Sequence, residues 1–118
     1  MTATVKKAAI PILAILTLAV SIWSAGPSQA VSLPADEGKS LFASKCAACH
    51  GLDGSGNTAK GKEFKVRDLR SAEVQKQADA KLFEVIAKGV KKMPGYEKTL
   101  GKDKVEALVA YTRALAKK

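Results

Sequence analysis

The segment SKCAACHG, Ser44 to Gly51, holds both cysteines of the 118-residue chain and its single histidine. Cys46, Cys49 and His50 bring two thiols and one imidazole into five residues. Such a set can serve a metal, a dithiol couple, a disulfide or a covalently attached cofactor. A closed structural zinc site takes four ligands, usually Cys and His in two separated pairs. The chain has no second pair, so that site is excluded. A thioredoxin-like dithiol belongs beside a βαβ pattern, and no strand-like alternation is visible. A disulfide between residues this close would stabilise little, because the gain grows with the length of the closed loop.

The fourth chemistry is covalent haem attachment, of which C-x-x-C-H is the signature. Residues three apart near a helix end lie on one side, so both thiols can add to the two vinyl groups of one porphyrin. The adjacent imidazole then comes under the ring and reaches iron. The second axial position is restricted by composition. There is no second histidine, and Met1 would leave with an export signal, which makes Met93 the one thioether of the remaining chain. Met93 lies in KKMPGY, Lys91 to Tyr96, where Pro94 and Gly95 break any periodic pattern. A methionine in such a loop can lie against a flat ligand; the alternative is a loop methionine covering an apolar edge. Lys91 and Lys92 flank it and are candidate replacements at high pH. His/Met ligation raises the iron potential and fills both axial sites. Such an iron cycles between Fe(III) and Fe(II) with little geometric change, as an electron carrier must. No acid, base or nucleophile constellation accompanies the motif, so no catalytic residue is assigned and no enzyme is expected.

The elements that must position these groups read as helices and loops. Pro34 suits a first turn, and Asp36 and Glu37 place negative charge where the helix dipole favours it. Gly38, Leu41, Phe42 and Lys45 follow at helical spacing towards the cysteines. GLDGSGNTAKGK, Gly51 to Lys62, is a loop by composition. Glu63 to Ser71 shows no period and reads as irregular chain, after which Ser71 can cap a short helix. Asp79 has the character of an N-cap for a better helix, with Leu82, Val85, Ile86 and Val90 on one face and Gly89 as a stop. A last helix starts near Gly101 to Asp103 and carries Val105, Leu108, Thr112 and Leu115 on one face, with Lys117 and Lys118 at its end. The expected fold is all-α, three to four helices with long loops.

The chain begins with Lys6-Lys7, an apolar run from Ala8 to Trp23, and a small-residue zone ending GPSQA. Ser28 and Ala30 fit the small-x-small rule, which places a signal-peptide cut after Ala30. An uncleaved membrane anchor is the rival reading, but a run of 16 residues containing Pro11 is short against the roughly 20 that span a bilayer. Residues 1–30 are therefore read as a secretory signal and 31–118 as one domain. That domain has few aromatics, and chains of its size commonly need a cofactor, metal or disulfide to complete the core. Without Lys6 and Lys7, 18 basic residues face 11 acidic ones, a net +7. A basic exported surface suits acidic protein patches or anionic lipid, with ordinary solvation the plain account of many of the lysines. Export separates the protein from nucleic acid, which is not an expected partner.

GKSLFASKCAACHG, VRDLRSAEVQKQADAKLFEVIAKGVKKMPGY and VEALVAYTRALAK stand in the order and spacing of a known family. The chain from Val31 to Lys118 resembles a small monohaem c-type cytochrome of class I, of the bacterial periplasmic type. The resemblance implies a cytochrome c-like fold around one covalent haem c, with the N- and C-terminal helices crossing. Cys46 and Cys49 would be the thioether anchors, His50 the proximal ligand and Met93 the distal ligand. Gly38 would let the other backbone approach, with Phe42 on one side and Leu108 and Tyr111 on the other. Many relatives carry a proline between the haem motif and the methionine, whose carbonyl receives the proximal histidine N–H. Here Arg67 stands where several of them have that proline, and another carbonyl is expected to hold His50. Arg67 is a candidate for a haem propionate.

The leading function is one-electron transfer in the periplasm, between a membrane respiratory or photosynthetic complex and a terminal acceptor. The chain would work as a monomer, meeting acidic docking surfaces and associating only transiently with the membrane complex. Lys45, Lys60, Lys62, Lys91 and Lys92 lie in or beside the cysteine and methionine loops, where they could steer that encounter. The alternatives are a haem-based gas sensor or ligand-binding protein, which would need an easily displaced Met93, and an electron-transfer subunit of a larger redox enzyme. If the haem completes the core, the unmodified chain is largely unfolded. Circular dichroism tests this: a cooperative, near-native melt of the haem-free chain would overturn it.

Overall fold

The computed structural model describes residues 34–116, in which helices are joined by loops. In chain order they are α1 (Pro34–Lys45), α2 (Ala47–His50), α3 (Ala59–Glu63), α4 (Ala72–Gln75), α5 (Asp79–Lys88), α6 (Glu97–Leu100) and α7 (Lys102–Leu115). The signal-peptide reading of residues 1–30, and the Lys117–Lys118 end, lie outside the described residues. Only α1, α5 and α7 exceed five residues, so the expectation of three to four helices matches the long elements and the rest are single turns. Among the described residues there is no strand, only an isolated bridge between Val90 and Met93. No helix among them is long and apolar enough to cross a membrane.

The centre of the fold is α7. Its periodic face, Val105, Leu108, Thr112 and Leu115, is buried along its whole length. On one side it meets α1, which has Asp36 and Glu37 in its first turn and Lys45 in its last, both favourable to the helix dipole. The two helices touch backbone to backbone. A Cβ built on Gly38 would lie 2.1 Å from the Ala107 carbonyl oxygen and 2.8 Å from the Tyr111 Cβ. Beside this contact the Phe42 and Tyr111 rings pack at a centroid distance of 5.2 Å, with Leu108 and Leu115 completing the cluster. The expected crossing of the terminal helices is thus present, with the expected residues in it.

On its other side α7 meets α4 and α5 through a second cluster, Val74, Leu82 and Val109. Polar ties hold the turn between α4 and α5. Gln75 Nε2 donates to Leu69 O at 2.7 Å and to Thr112 O at 2.9 Å. Arg113 donates to the carbonyls of Gln75 and Gln77 and to the Asp79 carboxylate.

Three local expectations change. The glycine-rich stretch is not loop throughout, because α3 forms where the Thr58 side chain accepts the Gly61 N–H at 2.8 Å and caps it. Asp79 is the first helical residue and Ala78 the N-cap; the Asp79 carboxylate is taken by Arg113, 2.7 Å away. Val90 leaves the apolar face of α5, since the helix ends at Gly89 with φ 79°, and Val90 is 48% exposed. Ser71 does cap α4, accepting the Val74 N–H.

Because α1 and α7 have no room for a methyl group between them, Gly38→Ala is expected to cost about 3 kcal/mol, the upper range for overpacking. Gly101→Ala, whose Cβ meets nothing within 4 Å but whose φ +86° and ψ 163° fall in a region essentially reserved for glycine, should cost less, about 2 kcal/mol. Denaturant midpoints of the two holoproteins check the order.

Candidate haem site

The α1–α2 joint falls on Cys46, and α2 carries Cys49 and His50. The His50 N–H donates to Cys46 O at 3.0 Å, so one helical turn sets the two sulfurs and the imidazole along one side. The turn is tied down from behind by Thr58, whose hydroxyl donates to Cys49 O at 2.8 Å while accepting from Gly61. Gly61 itself sits where a Cβ would come within 2.5 Å of that same carbonyl. Phe42, from the α1–α7 crossing, places its ring beside His50 at a centroid distance of 6.3 Å.

Cys46, Cys49 and His50 open onto a cavity of about 780 Å³. Met93 borders the same cavity, so the structure brings together all four residues singled out in the sequence. Apolar walls come from both core clusters and α5, including Leu82, Ile86 and Leu108. The charged residues around it are Lys45, Lys65, Arg67, Lys81, Lys91 and Lys92, with no aspartate or glutamate among them.

Met93 is presented by a tight turn. Val90 N–H donates to Met93 O at 3.0 Å and Met93 N–H to Val90 O at 2.9 Å, with Lys91 and Lys92 between them. Lys91 takes φ 52°, the left-handed conformation that such two-residue turns require and that side chains other than Asn, Asp or Gly adopt seldom. The turn is folded back on the end of α5, where a Cβ on Gly95 would lie 2.6 Å from Ala87 O. Tyr96 then donates its N–H to Ile86 O at 2.9 Å and its hydroxyl to Lys45 O at 3.2 Å.

The chemistry of these groups follows from their burial. Burial lowers the His50 pKa, which favours the neutral imidazole with a lone pair free for a ligand. Burial, and secondarily the neighbouring Cys49, pushes the Cys46 thiol up to about 11, so it is protonated near neutrality. Both cysteines are free thiols. Among the described residues no group of three or more His, Cys, Asp or Glu could hold a bare metal ion. The His50 Nδ1 is buried with no hydrogen-bond partner. The backbone carbonyl expected to hold it is not found among the described residues, and the Glu63–Ser71 stretch is pinned to the glycine loop through Val66 N–H to Gly61 O and Leu69 N–H to Gly54 O. Arg67 lines the cavity, and its guanidinium pairs with Glu73 at 3.3 Å.

Two residues of this site were not read from the sequence. Thr58 carried a recognisable signal, a cap-forming residue three before a glycine that needs its amide satisfied. Tyr96 carried none, because its partner Lys45 lies 51 residues away. The residues present fit a haem: two thiols, an imidazole and a thioether on one apolar cavity, and cations to meet its propionates.

A helical fold closed by an N- and C-terminal crossing, with a C-x-x-C-H turn opening on an apolar cavity, defines a c-type cytochrome domain. The family of cytochrome c oxidase, cbb3-type, subunit III, matches residues 33–111, and the chain belongs to it. Among solved structures it is similar to KustC0563 c-type cytochrome, with 32% identity and a TM-score of 0.62, over 66% of this chain and 95% of that one. A tyrosine-to-phenylalanine mutant of Kustc0563 is similar to the same degree, at 33% identity and TM-score 0.61, over 67% and 98%. The chain is thus a small c-type cytochrome with an all-α cytochrome c fold, its cofactor is haem c and its function is electron transfer.

Proposed function

We propose that the protein is a soluble, periplasmic one-electron carrier with a single His/Met-ligated haem c, shuttling between a membrane respiratory or photosynthetic complex and a terminal acceptor. The observation that carries this reading is that Met93 borders the same cavity as Cys46, Cys49 and His50. Cys46 and Cys49 would anchor the haem as thioethers, and His50 and Met93 would be its iron ligands. Haem c supplies the Fe(III)/Fe(II) couple. His50 contributes a neutral imidazole, kept so by burial. As an iron ligand Met93 would fill the place that a substrate or gas needs, which suits a chain that carries electrons and turns over no substrate of its own. The apolar walls exclude water, which limits solvent rearrangement when the charge changes.

Six cations line the cavity, and with Arg67 and Lys81 paired to Glu73 and Glu84, it is Lys45, Lys65, Lys91 and Lys92 that favour encounter with an acidic face on a redox partner. Attraction of this kind is screened over about 8 Å at physiological ionic strength. Export is supported by the leader-like composition of residues 1–30.

The first experiment is the absorption spectrum of reduced holoprotein with and without carbon monoxide. An unchanged spectrum is expected for the wild type and a CO-bound one for Met93→Ala. A prompt shift in the wild type would sink the carrier reading and favour a gas-binding protein. Stopped-flow electron exchange with an acidic redox protein should slow about tenfold from low to physiological salt, at the lower end of electrostatic steering. A rate indifferent to salt would remove the acidic partner.

A further inference from the structure

The joint between α1 and α2 leaves a carbonyl without a helical donor. The Cys49 N–H, which would reach back to Lys45 O in a continuous helix, bonds Cys46 O instead at 3.2 Å. Carbonyls left over at a helix C-terminus need a donor from elsewhere. The Tyr96 hydroxyl is that donor for Lys45 O, at 3.2 Å, long for an O–H···O bond. Tyr96 is fixed at its backbone as well, through its N–H to Ile86 O at 2.9 Å and its carbonyl, which accepts from Leu100 N–H at 2.8 Å.

This contact joins two segments that lie far apart in the chain. Lys45 is the residue before Cys46, and Tyr96 is three residues after Met93. The turn that presents Met93 closes on itself only through the Val90–Met93 pair, and it holds Lys91 in a conformation that lysine seldom takes. A turn of this kind opens readily unless something outside it fixes its end.

We propose that Tyr96 is a positioning residue whose hydroxyl latches the Met93 turn to the Cys46–His50 segment and so holds the thioether at the cavity. The inference rests on the reading of Met93 as an iron ligand. An outside ligand enters only when the turn is open, so its apparent affinity scales with the open fraction. Removing the hydroxyl raises that fraction. A single long hydrogen bond sets the size of the effect at about fivefold, which is about 1 kcal/mol.

The test is carbon monoxide titration of reduced holoprotein, wild type against Tyr96→Phe, which keeps the ring that lines the cavity. Amide exchange at Val90, Met93 and Leu108 is measured on the same samples. The latch predicts about fivefold tighter CO binding and about fivefold faster exchange at Val90 and Met93, with Leu108 in the α7 core unchanged. Wild type and variant that both resist CO equally, with equal exchange at Val90 and Met93, would overturn the latch and leave Met93 as ligand. Faster exchange at all three amides would overturn it too, as plain loss of stability. A wild type that binds CO as readily as Met93→Ala would remove the ligand reading and the latch with it.

Discussion

Everything about the site depends on how closely α1 can approach α7. With hydrogen in place of a side chain at Gly38, the helix backbone comes to rest on the Ala107 carbonyl. A closer approach brings more of each helix out of water, and the Phe42, Leu108, Tyr111 and Leu115 cluster is the result. Phe42 then carries that packing to the site, because the same ring that meets Tyr111 also stands beside His50. The C-terminal end of α1 is aimed by this crossing, and the C-x-x-C-H turn follows directly from it.

The far wall of the cavity has a different origin. It depends on α5, which reaches α7 through Leu82 and Val109, and on the short run before it that Gln75 and Arg113 tie to α7. Gly89 ends α5 abruptly, and the Met93 turn can fold back only because Gly89 and Gly95 leave space for the crossing backbone. Long loops in a small protein carry many polar backbone groups, and here the glycine loop is settled by its own bonds and by Thr58. Among the described residues the buried side-chain nitrogen or oxygen without a partner is at the site, the His50 Nδ1. A buried donor or acceptor left alone is costly, and that cost is carried beside the two free thiols.

Local chemistry was legible wherever it depended on neighbours in sequence. The haem motif, the loop methionine, the Ser71 cap, the stop at Gly89 and the buried face of α7 all rest on spacings of a few residues. The family resemblance added the Gly38 crossing, which a lone glycine in a helical pattern would not have revealed. The readings that changed were those in which a distant side chain outbid the local choice. Asp79 has the composition of a cap, yet Arg113 recruits it from 34 residues away. Val90 continues the α5 period on paper but is needed for the turn that presents Met93.

Sequence alone determined the donor set and its anchor: Cys46, Cys49 and His50 lie within one helical turn, and no rearrangement of the rest could part them. It also determined the all-α class, through periodic faces that must be buried somewhere. Tertiary structure alone decided that Met93 shares their cavity, that the charged residues lining that cavity are cations, and that Tyr96 ties the Met93 turn to the end of α1. These are long-range facts. A side chain's type limits which partners it can accept, but only the packing of α1, α5 and α7 sets which of them come within reach.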